Sequence, residues 1–442
     1  MATKYAPQAT FNWSDSWCDS DDGVQDVVKP GAGDLATLTV NSGDCAVNEN
    51  TAALGGLNMT GYTGTITVTN DIDVVGSANL AGTWSGAGAT SVDGTVNHNA
   101  NMSGYTGLLT FDGNADAHTI ISTTAFGNLA VNNNGSSVVL DNAIECASFT
   151  LTAGTFDCSA STYGVTVNGN LTYTEPGTLS NSGTWTLATS ANITWAAATN
   201  QLAELVVNEG VTATLTGNLY AKKLSGAGTI APSTTQKIFI KTATTPGWWA
   251  ITGTVSCNTD IEDTAVGAGA TITLANKDLR IYDDASSVLT MTGGISLGTG
   301  SLEIFSTTTA GAETTVDMAG YKISCANITI GHGSLDRRGE LKLGEGIHRI
   351  TGNIAAGAGS TTNKLGLESC YLILGGTLTA TKITITANAG APHIIGGTIT
   401  DDDGSAVYHC HETTDGGGGA NANETFDKHA YPGSLVTCGV GV

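Results

Sequence analysis

The chain has 442 residues, and its charged residues make up only 12%, about half of the roughly 25% typical of soluble proteins. Hydrophobic residues reach 40%, which argues against intrinsic disorder because disordered chains are poor in them. The formal charge of −23 at pH 7 argues against nucleic-acid binding, which requires Lys and Arg to contact phosphates.

The acidic charge is concentrated in the N-terminal half. Residues 1–221 contain two basic and 19 acidic residues, whereas residues 222–442 contain 14 basic and 20 acidic ones. Good helix formers are sparse throughout, while Thr and Val dominate the apolar stretches and favour strands. The 59 Gly residues fit frequent turns between short strands. We therefore expect an all-β protein.

Residues 1–40 are predicted to form an N-terminal cap or anchoring segment. The segment carries three aromatic residues followed by three acidic ones: Phe11, Trp13, Trp17, Asp19, Asp21 and Asp22. A solenoid needs such a cap because the exposed strand edges of its first coil would otherwise pair with other chains. The first residues lack the charged and apolar regions of a secretory signal peptide, and no run of 18 apolar residues predicts a membrane span.

A repeat marks the next segment. Residues 59–67, Met-Thr-Gly-Tyr-Thr-Gly-Thr-Ile-Thr, return as Met-Ser-Gly-Tyr-Thr-Gly-Leu-Leu-Thr at 102–110, an offset of 43 residues. One β-helix coil takes roughly 20–25 residues, so the offset predicts two coils. Alternating apolar and polar residues at 165–167, 171–173 and 185–187 predict strands with one inward face. We expect residues 41–240 to form the acidic half of a β-solenoid.

Residues 241–400 are expected to continue the solenoid or to form a second β domain. Their strand patterns are cleaner, as at 270–274, 279–282 and 301–305. Pro246-Gly247-Trp248-Trp249 is interpreted as a corner or a boundary, and the two Trp residues as packing groups in preference to sugar platforms. Residues 401–442 contain few strand signals and a run of four Gly residues at 416–419, which predicts an irregular, Gly-rich C-terminal tail.

The predicted fold is thus a parallel β-helix with an aromatic N-terminal cap and an irregular C-terminal tail. A string of β-sandwich domains is the alternative, since it also combines short strands with turns. The lack of Pro-marked linkers and the repeat at a fixed offset favour the solenoid.

The nine cysteines are scattered and include no CxxC pair, which gives no support to a structural zinc site. We expect buried thiols, with a Cys18–Cys45 or Cys410–Cys438 bridge left open. The nine are Cys18, Cys45, Cys146, Cys158, Cys257, Cys325, Cys370, Cys410 and Cys438.

His409-Cys410-His411 is the most specific candidate for a metal site, because imidazole and thiolate suit zinc or copper. On a strand the two His would share one face, away from Cys410, and His393 or His429 would have to complete the site. Ordinary surface histidines are preferred.

A second candidate is Asp401-Asp402-Asp403, whose carboxylates could ligate calcium. It lacks the spacing of known calcium loops, so a solvated acidic turn is preferred. No metal ligand and no cofactor are predicted.

No catalytic residue is predicted either. The sequence contains no GxSxG, HExxH or Walker motif. A carbohydrate-cleaving β-helix would need two or three carboxylates on the outer face of neighbouring coils, and no motif singles such a set out. The chain is expected not to be an enzyme.

Residues 126–132, 138–140, 149–156 and 165–171 resemble the right-handed β-helix repeats of bacterial surface adhesins and of phage fibre, tailspike and head-decoration proteins. The likeness is one of texture and covers about residues 40–400. Adhesins of this kind usually carry a signal peptide and a secretion domain, and this sequence shows neither. The resemblance therefore implies a virion protein.

We accordingly expect a structural component exposed on a phage particle, such as a capsid decoration, fibre or tail-associated protein. The expected partners are further copies of the chain in a homo-oligomer, capsid or tail proteins and host-surface glycans, without nucleic acid or a membrane span. The alternative is a self-assembling bacterial surface or matrix filament protein or adhesin, located outside the cell or at its surface. A tailspike-like glycan hydrolase is a weaker alternative.

Overall fold

The structure is a computed structural model. It describes residues 1–113, 118–158, 163–180, 183–195, 198–241, 247–262, 267–283, 287–307, 312–331, 338–356, 364–367, 370–374, 377–380, 382–385, 393–395, 398–401, 409–411, 414–415 and 425–427. The chain forms two compact units, Met1–Tyr220 and Ala221–Val442.

All regular secondary structure in the described residues is β, as expected. No helix in these ranges is long and apolar enough to span a membrane.

The strands that begin in the first unit are β1 (Thr3–Tyr5), β2 (Phe11–Asn12), β3 (Leu35–Thr37), β4 (Cys45–Val47), β5 (Gly56–Asn58), β6 (Thr65–Val68), β7 (Ile72–Val74), β8 (Ala78–Leu80), β9 (Thr83–Gly86), β10 (Thr90–Val92), β11 (Val96–His98), β12 (Asn101–Tyr105), β13 (Leu108–Phe111), β14 (His118–Ser122), β15 (Phe126–Leu140), β16 (Ile144–Asp157), β17 (Val165–Val167), β18 (Leu171–Tyr173), β19 (Thr178–Ser180), β20 (Thr184–Leu187), β21 (Ala191–Trp195), β22 (Glu204–Val207), β23 (Thr212–Leu215) and β24 (Leu219–Ala221).

The strands of the second unit are β25 (Leu224–Gly226), β26 (Thr229–Pro232), β27 (Lys237–Lys241), β28 (Trp249–Ile251), β29 (Asn258–Glu262), β30 (Ile272–Thr273), β31 (Leu279–Asp283), β32 (Ser287–Thr290), β33 (Ile295–Ser296), β34 (Leu302–Ser306), β35 (Glu313–Asp317), β36 (Ile323–Cys325), β37 (Ile328–Ile330), β38 (Arg338–Leu343), β39 (Gly346–Ile350), β40 (Ile354–Ala356), β41 (Lys364–Leu367), β42 (Cys370–Leu374), β43 (Thr377–Ala380), β44 (Lys382–Ile385), β45 (His393–Ile395), β46 (Thr398–Asp401), β47 (His409–His411), β48 (Thr414–Asp415) and β49 (Thr425–Asp427).

Both units are parallel β-solenoids with three strands in a coil. In the first unit β9, β10 and β11 pair in parallel with β6, β7 and β8 of the preceding coil. In the second unit β34, β35 and β36 pair in the same way with β31, β32 and β33. Each pairing leads from one coil to the next, so the coils are stacked by backbone hydrogen bonds, and the predicted parallel β-helix is confirmed.

The core consists of inward-facing side chains that stack in the same register. Leu129, Phe149, Leu171 and Ile193 occupy equivalent positions on four successive coils, and all four are buried. Burying a side chain of this size contributes roughly 1.5–3 kcal/mol. The alternation of buried and half-exposed residues in β17, β20 and β22 explains why strand patterns were visible in the sequence.

The predicted N-terminal aromatic residues form a buried cluster beside the first coil. The Trp17 ring meets the rings of Phe11 and Trp13 edge-on, at centroid distances of 5.5 and 4.9 Å. The indole N–H of Trp17 donates to the carbonyl of Trp13 at 3.1 Å, and an antiparallel bridge joins Trp17 to Val27. These contacts join residues within the 11–27 segment, and an antiparallel bridge between Tyr5 and Cys18 joins that segment to β1.

The described part of the C-terminal segment contains three short strands. β47, β48 and β49 extend the parallel ladders of β45 and β46. The remaining residues of the predicted tail lie outside the described ranges, and the segment boundaries expected near residues 40, 240 and 400 remain predictions.

The interpretation of the 43-residue repeat as two coils in register is wrong. Two coils after Thr65, by way of Thr83, the chain has reached Asn101 in β12. The second copy of the repeat instead continues into β13, which stacks on β10 and β7. The repeat therefore spans two coils and one further side, and its two copies lie at different corners of the solenoid.

Candidate functional site

The two copies of the repeat share side-chain contacts on different backbones: residues 59–64 form a turn, whereas residues 101–105 form β12. We name the copies corner 1, Asn58–Gly64, and corner 2, Asn101–Gly107. Tyr62 of corner 1 places its hydroxyl 2.9 Å from the carbonyl of Thr65 and 3.1 Å from that of Gly43 on the preceding coil. This hydroxyl ties the corner both to its own strand and to the coil before it.

Tyr105 makes the equivalent contacts at corner 2. Its hydroxyl lies 3.4 Å from the carbonyl of Leu108 and 2.8 Å from that of Gly88 on the preceding coil. The hydroxyl of Thr90 lies 3.1 Å from the same Tyr105 hydroxyl. Burial raises the pKa of Tyr105 to about 12, so the phenol stays protonated and retains its proton for a carbonyl acceptor.

An asparagine begins each corner, a feature that was not predicted from the sequence. The side-chain oxygen of Asn58 accepts the backbone N–H of Thr60 at 3.2 Å, and that of Asn101 accepts the N–H of Ser103 at 3.1 Å. This is an Asx turn, which bends the chain locally. The available signal was simply that both copies of the repeat are preceded by Asn.

The glycine that ends each corner is required by the tyrosine. A Cβ on Gly64 would lie 2.6 Å from the Tyr62 hydroxyl. A Cβ on Gly107 would lie 2.6 Å from the Tyr105 ring and 2.0 Å from the Gly88 carbonyl. The spacing Tyr-Thr-Gly therefore encodes a ring folded back over the backbone.

Each corner overhangs an open groove. In corner 1 residues 59–64 separate β5 from β6, whereas only Ala81 and Gly82 separate β8 from β9 on the next coil. Groove 1, about 260 Å³, is lined by residues 59–63, 79–81, Asn97 and Asn99. The longer corner thus forms a ledge above a shorter one.

Groove 2 lies beneath corner 2 and is larger, about 470 Å³. The register of β12 against β9 shifts between Asn101 and Gly104. A shift of this kind bends the strand locally. Residues 100–103, 105–106 and 124–128 line the groove together with Ala147 and Asn168.

Both grooves are uncharged, and their exposed lining is more apolar than polar. Among their lining residues, all of them described, none is Asp, Glu, Lys, Arg or His. The polar groups are amides and hydroxyls, several of them arranged in ladders: Asn97 donates to Asn79 at 2.7 Å, and Asn79 donates to Asn58 at 3.3 Å. Such a lining suits neutral hydrogen-bonding ligands and offers no counter-charge to an ion.

A second cluster, on the sheet of the second unit that contains β29, β31 and β34, combines charge with aromatic rings. The buried carboxylate of Asp260 lies 3.5 Å from Lys237 and 3.4 Å from Arg280. Arg280 also bonds Glu303 at 3.0 Å and lies over the rings of Tyr282 and Phe305. Burial raises the pKa of Asp260.

A carbohydrate-cleaving β-helix would need outward-facing carboxylates on neighbouring coils. This cluster contains two carboxylates in such positions. Asp260, Arg280 and Glu303 stand in register on three successive coils. The guanidinium of Arg280 lies between the two carboxylates and bonds to both. We interpret the cluster as an ion-pair ladder that holds coils together.

Two aspartates of the first unit are stacked on neighbouring coils. Asp112 follows Phe111, which pairs with Val92, and Val92 is followed by Asp93. Burial, a hydrogen bond with Asp93 and the charges of Asp93 and Asp73 together raise the pKa of Asp112 to about 6.

The residues considered for metal binding are only partly described. Backbone pairing places His393 opposite His409 and Ile395 opposite His411, while Asp401 ends β46. His429, Asp402 and Asp403 lie outside the described ranges. Within the part of the chain that is described, no three His, Cys, Asp or Glu residues cluster closely enough to hold a metal ion.

A Cys18–Cys45 disulfide, left open by the sequence, is not formed. Both thiols are free and buried, because Cys18 bridges to Tyr5 whereas Cys45 pairs with Phe11 and Ile66. Cys438 lies outside the described ranges, so the second bridge remains untested. The buried Trp248 and Trp249 meet edge-on at 6.4 Å, which confirms their interpretation as packing groups.

Comparison with known proteins found no family model, no curated protein and no solved structure that matches this chain.

Proposed function

We propose that the chain is a structural protein exposed on the surface of a phage particle, as a capsid decoration, a fibre or a tail-associated protein. One observation carries the proposal: each unit is a stack of parallel coils whose backbone hydrogen bonds run from coil to coil. A stack of this kind resists bending and needs no partner to bury its core, which suits a protein that projects from an assembly.

The outer face of the first unit supports the same role. Several of its ladders are uncharged and polar: the hydroxyls of Thr194 and Thr216 meet at 2.6 Å, and that of Ser148 donates to Asn128 at 2.8 Å. Ladders of side chains that bond one another stabilise a solvent-facing sheet without apolar patches.

The experiment is to purify phage particles from a lysate that expresses the chain and to quantify their proteins by mass spectrometry. The proposal expects the chain at a fixed copy number relative to capsid or tail protein. Gold-labelled antibody against the chain should mark the outside of intact particles.

Two outcomes count against the proposal. If the chain is found as free fibres from uninfected cells, it is a bacterial surface filament protein. If the purified chain depolymerises a bacterial polysaccharide, a tailspike-like hydrolase replaces the structural role.

A further inference from the structure

We infer that grooves 1 and 2 are two equivalent subsites for a neutral sugar residue, each built by one copy of the repeat. The inference rests on the proposed surface role only for the source of the ligand. Binding itself is a property of the purified chain.

Corners 1 and 2 make contacts that coil closure does not require. The corner between β8 and β9 turns with only Ala81 and Gly82. Corners 1 and 2 nevertheless share an Asx turn, a folded-back tyrosine and a terminal glycine. Corner 1 separates β5 from β6, whereas corner 2 contains β12 and leads into β13. The shared contacts are therefore not imposed by one position in the coil.

Each copy of the corner has a groove beneath it. Residues 59–63 of corner 1 line groove 1, and residues 101–103 and 105–106 of corner 2 line groove 2. A duplicated sequence thus coincides with a duplicated concave surface. Concave surfaces with convergent polar groups are the usual form of small-molecule sites.

The absence of charge in the described lining of the grooves indicates the class of ligand. The chain carries a net charge of −23, yet neither groove has a charged residue among the described residues that line it. A phosphate, carboxylate or metal ion would leave its charge without a partner, which is unfavourable. A neutral polyhydroxyl compound matches a surface of amides, hydroxyls and backbone groups.

Hydrogen-bonding capacity remains at the grooves. The amide of Asn97 offers two N–H donors and a carbonyl acceptor, and its bond to Asn79 uses one donor. Thr60 and Thr63 of the ledge are exposed. An amide presents a donor and an acceptor side by side, which fits neighbouring sugar hydroxyls.

The test is saturation-transfer difference NMR on the purified full-length chain. The probes are glucose, galactose, mannose and N-acetylglucosamine, with glucuronate as the charged comparison. We expect transfer to at least one neutral sugar, with dissociation constants on the order of 1 mM for such open sites, and several-fold weaker transfer to glucuronate.

Two blocking variants separate the grooves. Thr63→Tyr fills groove 1 and Ala147→Tyr fills groove 2, and both residues are exposed, so the fold should tolerate the change. Each single variant should reduce the signal to roughly half, and the double variant should abolish it. Ala52→Tyr is the matched control, because Ala52 is exposed and lines neither groove.

The inference is overturned if no neutral sugar of the panel shows transfer, or if transfer persists in the double variant. Near-ultraviolet circular dichroism of each variant verifies that the fold is intact. Absence of sugar binding would leave the particle role standing, since that role is decided by particle composition. Absence of the chain from particles would leave the binding result unchanged.

Discussion

Tyr105 connects two coils through one oxygen atom. Its hydroxyl contacts the carbonyls of Gly88 and Leu108 and the hydroxyl of Thr90. Tyr105→Phe leaves a buried carbonyl without its donor, so we expect a loss of about 1–2 kcal/mol in the free energy of unfolding. Urea denaturation followed by circular dichroism measures the loss.

Tyr321→Phe is the matched control, because Tyr321 is 42% exposed. We expect it to change the free energy of unfolding by less than about 0.5 kcal/mol. Equal losses in the two variants would show that the corner hydroxyl adds nothing beyond the ring.

Asp112 makes the first unit sensitive to pH. Burial and the neighbouring Asp93 raise its folded pKa to about 6, well above the usual value for an aspartate. The folded chain therefore holds a proton that the unfolded chain has already released, and stability falls as pH rises from about 4 to about 6. Asp112→Asn should stabilise the protein above pH 6 and have little effect at pH 3, as measured by thermal unfolding midpoints.

The partner carboxylate supplies the control for this prediction. Asp93→Asn removes a charge beside Asp112 and should give part of the same gain above pH 6. Because the two residues act on one titration, the double variant should gain little beyond Asp112→Asn alone. Fully additive gains would contradict a coupled pair.

At the scale of elements, corner 2 depends on its terminal glycine more than on the one before the tyrosine. A Cβ on Gly107 would lie 2.0 Å from the Gly88 carbonyl, whereas on Gly104 the nearest atom is 3.4 Å away. Gly107→Ala should therefore cost about 1–3 kcal/mol through overpacking. Chemical denaturation of both alanine variants makes the comparison.

Gly104→Ala should lie within about 1 kcal/mol of the parent, since alanine has space there and restricts the unfolded chain. The prediction fails if the two variants are equally destabilised. Such a result would mean that Tyr105 is not folded over Gly107 in solution.

Strands were predictable from the sequence, and the grooves were not. Alternation at 165–167 and 185–187 predicts strands because buried and half-exposed residues alternate there. Groove 1 depends on the difference in length between corner 1 and the corner of the next coil, and groove 2 depends on the register shift in β12. Both features require knowledge of the register. The repeat marked the residues of the corners, but Asn58 and Asn101 were outside the segment that was recognised.

At the scale of the molecule, the reactivity of the cysteine thiols reports whether the coils stay closed in solution. Cys18, Cys45, Cys146, Cys158, Cys257 and Cys325 are free and buried. Burial raises the pKa of Cys158 to about 11 and that of Cys146 to about 12, so thiolate is scarce. With Ellman's reagent we expect at most three of the nine cysteines to react in native protein.

The control is the same titration in denaturant under anaerobic conditions, where all nine thiols should react if no disulfide forms elsewhere. Rapid reaction of more than three thiols in native protein would show that the coils open in solution.

The solenoid as a whole was predictable because its texture recurs on every coil, but the register was not. A 43-residue offset is about the length of two average coils. The coils after Thr65 are shorter, since Thr67 and Ser85 lie on successive coils and are only 18 residues apart. Coil length varies with the number of corner residues. Inward-facing positions such as Cys325 do not predict it.

The position of the two copies of the repeat has a consequence for avidity. Corner 1 leads into β6, and corner 2 contains β12 of the same sheet. Asn99 lines groove 1 and Ala100 lines groove 2, so the two grooves are neighbours on the solenoid. If sugars are the ligands, a single polysaccharide chain can reach both grooves, and tethering at two points would increase its retention without any new contact.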